Sequence, residues 1–320
     1  MSMYLGLDLG GTNLKAGVLS QENELVWQTI QPTNARRPAG EIVADMVKLI
    51  RTALERFPET ESVGIGVPGM VSHDGTVRIA PNIQSWKDLP LRSLIQKEVR
   101  VPVVVENDAN VGAIAEMSIG AASGVSHFIY ISLGTGVGGA IVINKSIYRG
   151  ESGAAGEIGH VIVDIHKRIN TDRPFRTGVL EEFIGKNQVT YSASRILRRY
   201  KESSLLFQQK PDPYHISSAA EEGDAAALEV LETAGYYLGI ALSSAMNLLD
   251  ISLVVVGGGL SHSHRSMFDK ALETIRERTL PPIAEIARIE KARFHKEAGI
   301  YGAALLGKNY LTNQTQLSNK

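Results

Sequence analysis

Hydrophobic and polar positions alternate from the start of the chain. Tyr4 to Leu9 and Leu14 to Leu19 read as strands joined by a tight turn at Gly10-Gly11, and Glu24 to Ile30 makes a third after a polar turn. This spacing predicts an antiparallel meander. Ile42, Met46, Leu49, Ile50 and Leu54 then recur at helical intervals, so an amphipathic helix is expected over 39–57. Ser62 to Val67 and Val101 to Val105 are compact strands, separated in part by a helix over 90–98. A further helix is expected from near Ala109.

The pattern restarts after the glycine- and serine-rich stretch 120–126. Phe128 to Leu133 is a strand, GTGVGG a turn, and Ala140 to Ile143 the returning strand. A long helical region is expected over 178–250, interrupted near Pro211 and Pro213, and Leu253 to Val256 runs into Gly257-Gly258-Gly259. A helix over 264–278, a strand near 286–289 and a final helix from 297 complete the chain. The reading is a mixed α/β protein with two similarly opened halves and a ligand cleft expected between them.

Composition narrows the class. In 320 residues, 43% are hydrophobic and 21% charged, so the chain is ordinary globular material, long enough for about two domains. A net charge of -1 gives no global attraction to nucleic acid. The start lacks an export signal, and no apolar run reaches the roughly 18 residues of a spanning helix, so neither export nor a membrane is expected. With no cysteine, disulfides and thiolate metal sites are excluded.

Three glycine turns are candidate phosphate or nucleoside contacts. In DLGGTNLK, Gly10 and Gly11 permit a turn whose NH groups, with the Thr12 hydroxyl, point at phosphate oxygens. Asp8 suits magnesium, directly or through water. Lys15 either steadies negative charge or faces solvent. In LGTGVGG, Gly134, Gly136 and Gly139 match a dinucleotide fingerprint, but strand-like AIVIN follows where a helix is required. This is read instead as a phosphate-facing hairpin with Thr135 as hydroxyl donor. Gly258 and Gly259 admit a flat nucleoside, or form a plain turn. No P-loop pattern is present.

VPVVVENDAN places polar groups at the end of a very apolar strand. Asp108 is the candidate base for an acceptor hydroxyl, its competing reading being a helix cap. Asn107 offers both ends of an amide to sugar hydroxyls. Gly69 in GVPGM permits close backbone approach, and Asn82 in APN either contacts sugar or steadies its turn. Glu157 and His160 in GAAGEIGH, and Glu181 in VLEEF, are further hydroxyl contacts, His160 selecting rather than acting as base.

The ordered set DLGGTNLK, GVPGM, ENDAN, LGTGVGG, GEIGH and VVVGGG resembles the ROK family of bacterial sugar kinases and related repressors over almost the whole chain. The resemblance is greatest on the glucokinase side, with kinases of N-acetylmannosamine and N-acetylglucosamine similar. It implies two ribonuclease-H-like lobes with an actin-like ATPase architecture: 1–118, 119–296, and a final helix 297–320 returning to the first lobe. It also implies ATP with magnesium, transfer to the 6-hydroxyl of a hexose, a cytoplasmic homodimer, and Asp108 as base. Asn107, Glu157, His160 and Glu181 then bind the hexose with Gly69 and Asn82 nearby, while Gly10, Gly11 and Thr12 meet Gly134, Thr135 and Gly136 at the nucleotide, with Gly258 and Gly259 at its nucleoside end. No long DNA-binding region precedes Tyr4, which disfavours the repressor branch. Where many members carry CxCGxxGC, this chain has DRPFRTGV, with Asp172, Pro174 and Val179 at thiolate positions. No structural zinc is therefore expected; Asp164, His166 and Asp172 lack the spacing of a replacement site, and packing of Phe175, Leu180 and Phe183 is expected to restrain the loop instead.

Overall fold

The structure is a computed structural model describing residues 1–168, 171–172, 174–208 and 210–318. It divides into two compact units, the first Met1–Val125 with Lys145–Ala155 and Phe294–Lys320, the second Ser126–Asn144 with Gly156–Arg293.

The first unit opens with the predicted meander: β1 (Met3–Leu9), β2 (Asn13–Ser20) and β3 (Leu25–Pro32). Helix α1 (Ala39–Arg56) leads to β4 (Thr60–Val67), which pairs parallel to β1. Three short strands missed in the sequence, β5 (Met70–Val71), β6 (Val77–Ile79) and β7 (Lys87–Leu89), form a small sheet of their own. Helix α2 (Leu91–Gln96), strand β8 (Val103–Asn107) and helix α3 (Asp108–Ile119) follow. The main sheet has the order β3-β2-β1-β4-β8.

Alternation decides what covers each face. Leu5, Leu7 and Leu9 point to one side, where they join Ile42, Met46 and Ile50 of α1 in one core. On the other side β1 and β4 present Gly6 and Gly64, with Tyr4 in a second apolar cluster. There β8 begins two residues later than predicted, because its register starts at Val103 opposite Val63. The consequence is functional: Glu106 and Asn107 belong to the strand, and Asp108 opens the helix.

In the second unit, β9 (Phe128–Leu133) and β10 (Val137–Ile143) form the predicted hairpin. β10 starts earlier than expected, since Gly138 and Gly139 are ladder residues opposite Ser132 and Ile131. The chain then gives the first unit its segment 145–155, including the two-residue strand β11 (Ser146–Ile147). Among the described residues the expected long helical region holds four α-helices, α4 (Glu181–Ile184), α5 (Lys186–Ile196), α6 (Pro213–Glu221) and α7 (Ala225–Leu249), with the 3-10 turns Leu197–Arg199 and Ser204–Phe207 between α5 and α6. Gly185 separates the first two, and Asp212 with Pro213 starts the third as N-cap and first helical residue. Strand β12 (Leu253–Gly257) pairs parallel to β9. Helices α8 (Ser266–Arg278) and α9 (Pro281–Ile286) precede β13 (Arg288–Lys291), displaced from the predicted 286–289 because the prolines start a helix rather than a strand. The strands run β10-β9-β12-β13.

By length and composition α7 is apolar enough to cross a membrane, which the sequence reading had not expected of any segment. Its Leu231, Leu238, Leu242 and Met246 lie instead in the core with Ile129, Ile131, Val254 and Val256. It is the central helix of this unit.

The last helix, α10 (Ala298–Ser318), belongs to the first unit; positions 319 and 320 of the predicted helix lie outside the described residues. Gly6 and Gly64 let it lie directly on the sheet, since a Cβ on Gly64 would stand 1.8 Å from the Ala303 carbonyl oxygen.

Candidate active site

In the first unit the site is built where β8 turns into α3. Asn107 is the N-cap of α3: its Oδ1 accepts from the Ala109 amide at 2.8 Å and the Asn110 amide at 3.2 Å. Its Nδ2 donates to the Gly69 carbonyl at 2.8 Å. Gly69 holds φ +102 in the turn below, with a Cβ barred by the Ile79 carbonyl. The amide that the sequence offered whole to a sugar thus retains one N–H for a ligand, both lone pairs of its oxygen being used. With the cap supplied by Asn107, the Asp108 side chain stands exposed on the first turn of α3, its Oδ1 accepting from the Ala109 amide at 2.9 Å.

Glu106, two residues before Asp108, is only 1% exposed. Its Oε1 accepts from the Asn107 amide at 2.9 Å and from Asn110 Nδ2 at 3.0 Å, and its Oε2 is paired with the Arg149 guanidinium. Neither Glu106 nor Arg149 was singled out as a site residue from the sequence.

The Gly10-Gly11-Thr12 turn is braced by Thr33, whose hydroxyl donates to the Gly10 carbonyl at 2.7 Å and whose amide donates to the Thr12 carbonyl at 2.8 Å. Thr12 remains exposed. Gly11 and Asn82 border one cavity of about 730 Å³, so a phosphate candidate and a sugar candidate share a single space. Asp8, opposite Lys15 across the β1–β2 ladder, pairs with its ammonium at 3.2 Å. Lys15 also donates to the Lys296 carbonyl, so it is held by its own unit with its side chain partly exposed. As a hard oxygen donor with a side chain 19% exposed, Asp8 fits magnesium, which takes one or two carboxylates and completes its shell from phosphates and water.

In the second unit the candidates lie in the turns that follow β9 and β12, at the start of α4 and around the 3-10 turn Ile158–His160. The Gly134 amide donates to the Gly136 carbonyl at 3.0 Å, closing the hairpin with Thr135 exposed at its tip. Gly258, at φ +82, sits against the Leu133 carbonyl just before that turn, with Gly259 next in a short 3-10 turn. Glu181 is placed beneath the hairpin: its Oε2 accepts from the Val137 amide at 2.9 Å, and its carboxylate pairs with Arg176. It carries out a structural task that the sequence did not reveal, and Arg176 was not anticipated. Glu157 precedes the turn Ile158–His160 and His160 ends it, His160 Nδ1 lying 3.5 Å from Glu157 Oε2 with both side chains part-exposed.

The residues do not fit zinc. The chain has no thiolate, and among the described residues no group of three or more His, Cys, Asp or Glu can hold a metal ion. Around the loop that replaces the cysteines, Ile162 bridges Val179, and Glu182 Oε2 accepts from the Gly178 amide at 2.7 Å and pairs with Lys167 at 2.9 Å. Leu180 is fully buried and Phe183 stacks on Tyr237 at 3.9 Å. Burial first, then the Asp164 charge, push the Tyr237 phenol up from its usual range. Phe175, expected to pack here with Leu180 and Phe183, is instead 67% exposed, so the fastening combines the packing of the other two with these polar contacts. The Pro174 side chain, and residues 169, 170 and 173, lie outside the described residues.

Known proteins are similar to this chain along most of its length. A glucokinase of Halalkalibacterium halodurans is 33% identical over 314 residues, 95% of this chain and 94% of that protein. The crystal structure of a ROK family glucokinase from Streptomyces griseus, in complex with glucose and AMPPNP, matches with TM-score 0.79 at 30% identity, over 96% of this chain and all of that one. A xylose repressor of Caldicellulosiruptor bescii is 27% identical, over 93% of this chain and 76% of that protein. The family pattern itself extends over residues 4–310, and the chain belongs to the ROK family.

Proposed function

We propose that this protein is an ATP-dependent hexose kinase that phosphorylates the 6-hydroxyl, with glucose as its first substrate. The observation that carries the reading is the presentation of Asp108: a neighbour caps the helix, and the carboxylate is left exposed at its N-terminus. A sugar hydroxyl is too weak an acid to ionise first, but in a loose phosphoryl-transfer transition state its oxygen gains acidity as the new bond forms. Asp108 takes that proton late. Asn82, Asn107 and the Gly69 backbone recognise the hexose, as do Glu157, His160 and Glu181. Gly10, Gly11, Thr12 and Lys15, with Gly134, Thr135, Gly136, Gly258 and Gly259, hold the nucleotide. Magnesium arriving with the nucleotide supplies charge neutralisation at the phosphates, and Asp8 is the residue that would hold it.

Glucose is favoured by the kinship with glucokinases, one of them bound to glucose and an ATP analogue. The strand orders within the two units support reading each as ribonuclease-H-like, in an actin-like ATPase architecture with lobes 1–118 and 119–296 and a returning helix 297–320. A cytoplasmic homodimer without zinc, membrane or nucleic-acid partner completes the proposal. The decisive experiment supplies MgATP with glucose, N-acetylmannosamine and N-acetylglucosamine in turn and locates the phosphate on the product. ATP turnover must depend on sugar; sugar binding without turnover would place the chain with the regulators. Asp108→Asn should lower kcat about 10²–10⁴-fold while the sugar KM stays within a few-fold. Normal turnover of the folded variant would remove Asp108 as the base.

A further inference from the structure

Glu106 is a carboxylate that phosphoryl transfer does not use, yet it is among the most deeply buried charged groups of the first unit. A buried charge survives only when it is paired and its lone pairs are used. Here one oxygen collects the backbone amide of Asn107 and the side-chain amide of Asn110, gripping the α3 cap and the first turn on either side of Asp108. The other oxygen is held by Arg149.

Arg149 comes from the segment 145–155, which is itself tied down. The Ala155 amide donates to the Arg149 carbonyl at 3.1 Å, His73 Nε2 lies 3.1 Å from the Gly150 carbonyl oxygen, and Gly153, at φ +90, is pressed on the Val71 carbonyl. The same stretch of chain continues at Gly156 into the turn bearing Glu157 and His160. We infer that Arg149 is a positioning residue for the phosphotransfer: acting through Glu106, it sets the direction in which the Asn107–Asp108 turn presents the base. The inference rests on the kinase reading. Its reason is geometric, since a reacting group displaced by about 1 Å loses on the order of a hundredfold in rate. Arg149 brings two N–H groups, from Nε and Nη2, onto the one Glu106 oxygen, a fixed fork that an ammonium does not reproduce, so lysine is not an equivalent replacement.

The test compares Arg149→Ala, Arg149→Lys, Glu106→Gln and the double variant Arg149→Ala/Glu106→Gln with the unaltered protein. Arg149→Ala is expected to lose about 10–100-fold in kcat, with both substrate KM values within about threefold. Arg149→Lys should recover only part of this. Guanidinium chloride, added at concentrations well below denaturing, should restore kcat at least severalfold in Arg149→Ala and not in the unaltered protein. The double variant should be no worse than the poorer single variant, because both act along one chain of contacts. Unchanged kinetics in Arg149→Ala overturns the inference, as does a loss that guanidinium leaves untouched and that adds to the effect of Glu106→Gln. Amide hydrogen exchange provides an arm independent of catalysis. Arg149→Ala should speed exchange at Asn107, Ala109 and Asn110 at least tenfold, leaving β9 and β10 unchanged; equal exchange overturns the inference. Failure of the unaltered protein to phosphorylate any hexose would strike the kinase reading alone, with the exchange arm still deciding the role of Arg149.

Discussion

Glu181 shows how one carboxylate can be committed in advance. It accepts the Val137 amide and pairs with Arg176, and a Cβ on Gly136 would stand 2.3 Å from its Oε2. Gly136 is therefore required by the side chain beneath it as well as by any ligand above. Gly136→Ala should displace Glu181, reshape the hairpin and lower kcat/KM for MgATP at least tenfold, as steady-state kinetics at saturating sugar would show. Unaltered kinetics would separate this hairpin from the nucleotide. Asn107 carries the same lesson from the other direction. Its letter suggested a ligand amide, but most of its hydrogen-bonding capacity is spent on the α3 cap and Gly69. A polar residue at a strand end reads identically in sequence whether its partner is a sugar or an amide of its own chain.

At the scale of elements, caps and close approaches carry the measurable energies. Asp224 starts α7, with Oδ1 accepting from Ala226 and Ala227 and both oxygens drawing on Ser203. Burial by itself would raise its carboxyl. The Ala227 amide and the Ser203 and Ser204 donors together outweigh burial and hold it below its ordinary 3.8. A depressed folded value means that the ionised cap stabilises the fold above the unfolded value and loses that contribution as pH falls through the lower folded one. Asp224→Ala should thus cost about 1–2 kcal/mol at pH 7 in urea unfolding. The difference from the unaltered protein should shrink once pH drops below 3.8. A gap that persists undiminished in acid would deny the charge its part. The α10 packing gives a second test. Gly64→Ala must push the Ala303 backbone off the sheet, and a loss of about 1–3 kcal/mol or more is expected. Unfolding midpoints near those of the unaltered protein would mean that the helix lies less closely on β4.

Across the whole molecule, each unit keeps its own apolar core, and neither relies on a cysteine cage. The loop at the family's zinc position is fastened by the Ile162–Val179 bridge and by Glu182 with Gly178 and Lys167. Dialysis against a zinc-selective chelator should leave the thermal midpoint unchanged, and transfer activity should be intact once magnesium is supplied. A marked fall in the midpoint would reveal a metal after all, since structural zinc contributes directly to folding. The sequence by itself determined the order of the longer strands and the glycine turns, the α/β character and the absence of thiolate chemistry, because these follow from local periodicity and residue identity, and its ordered motifs carried the family resemblance. Tertiary structure alone decided that Glu106 meets Arg149, that Glu181 braces the hairpin, and that α10 rests on Gly6 and Gly64. Those pairings join residues far apart in the chain, and nothing in the local pattern of a buried carboxylate or a strand glycine names the partner that folding will bring to it.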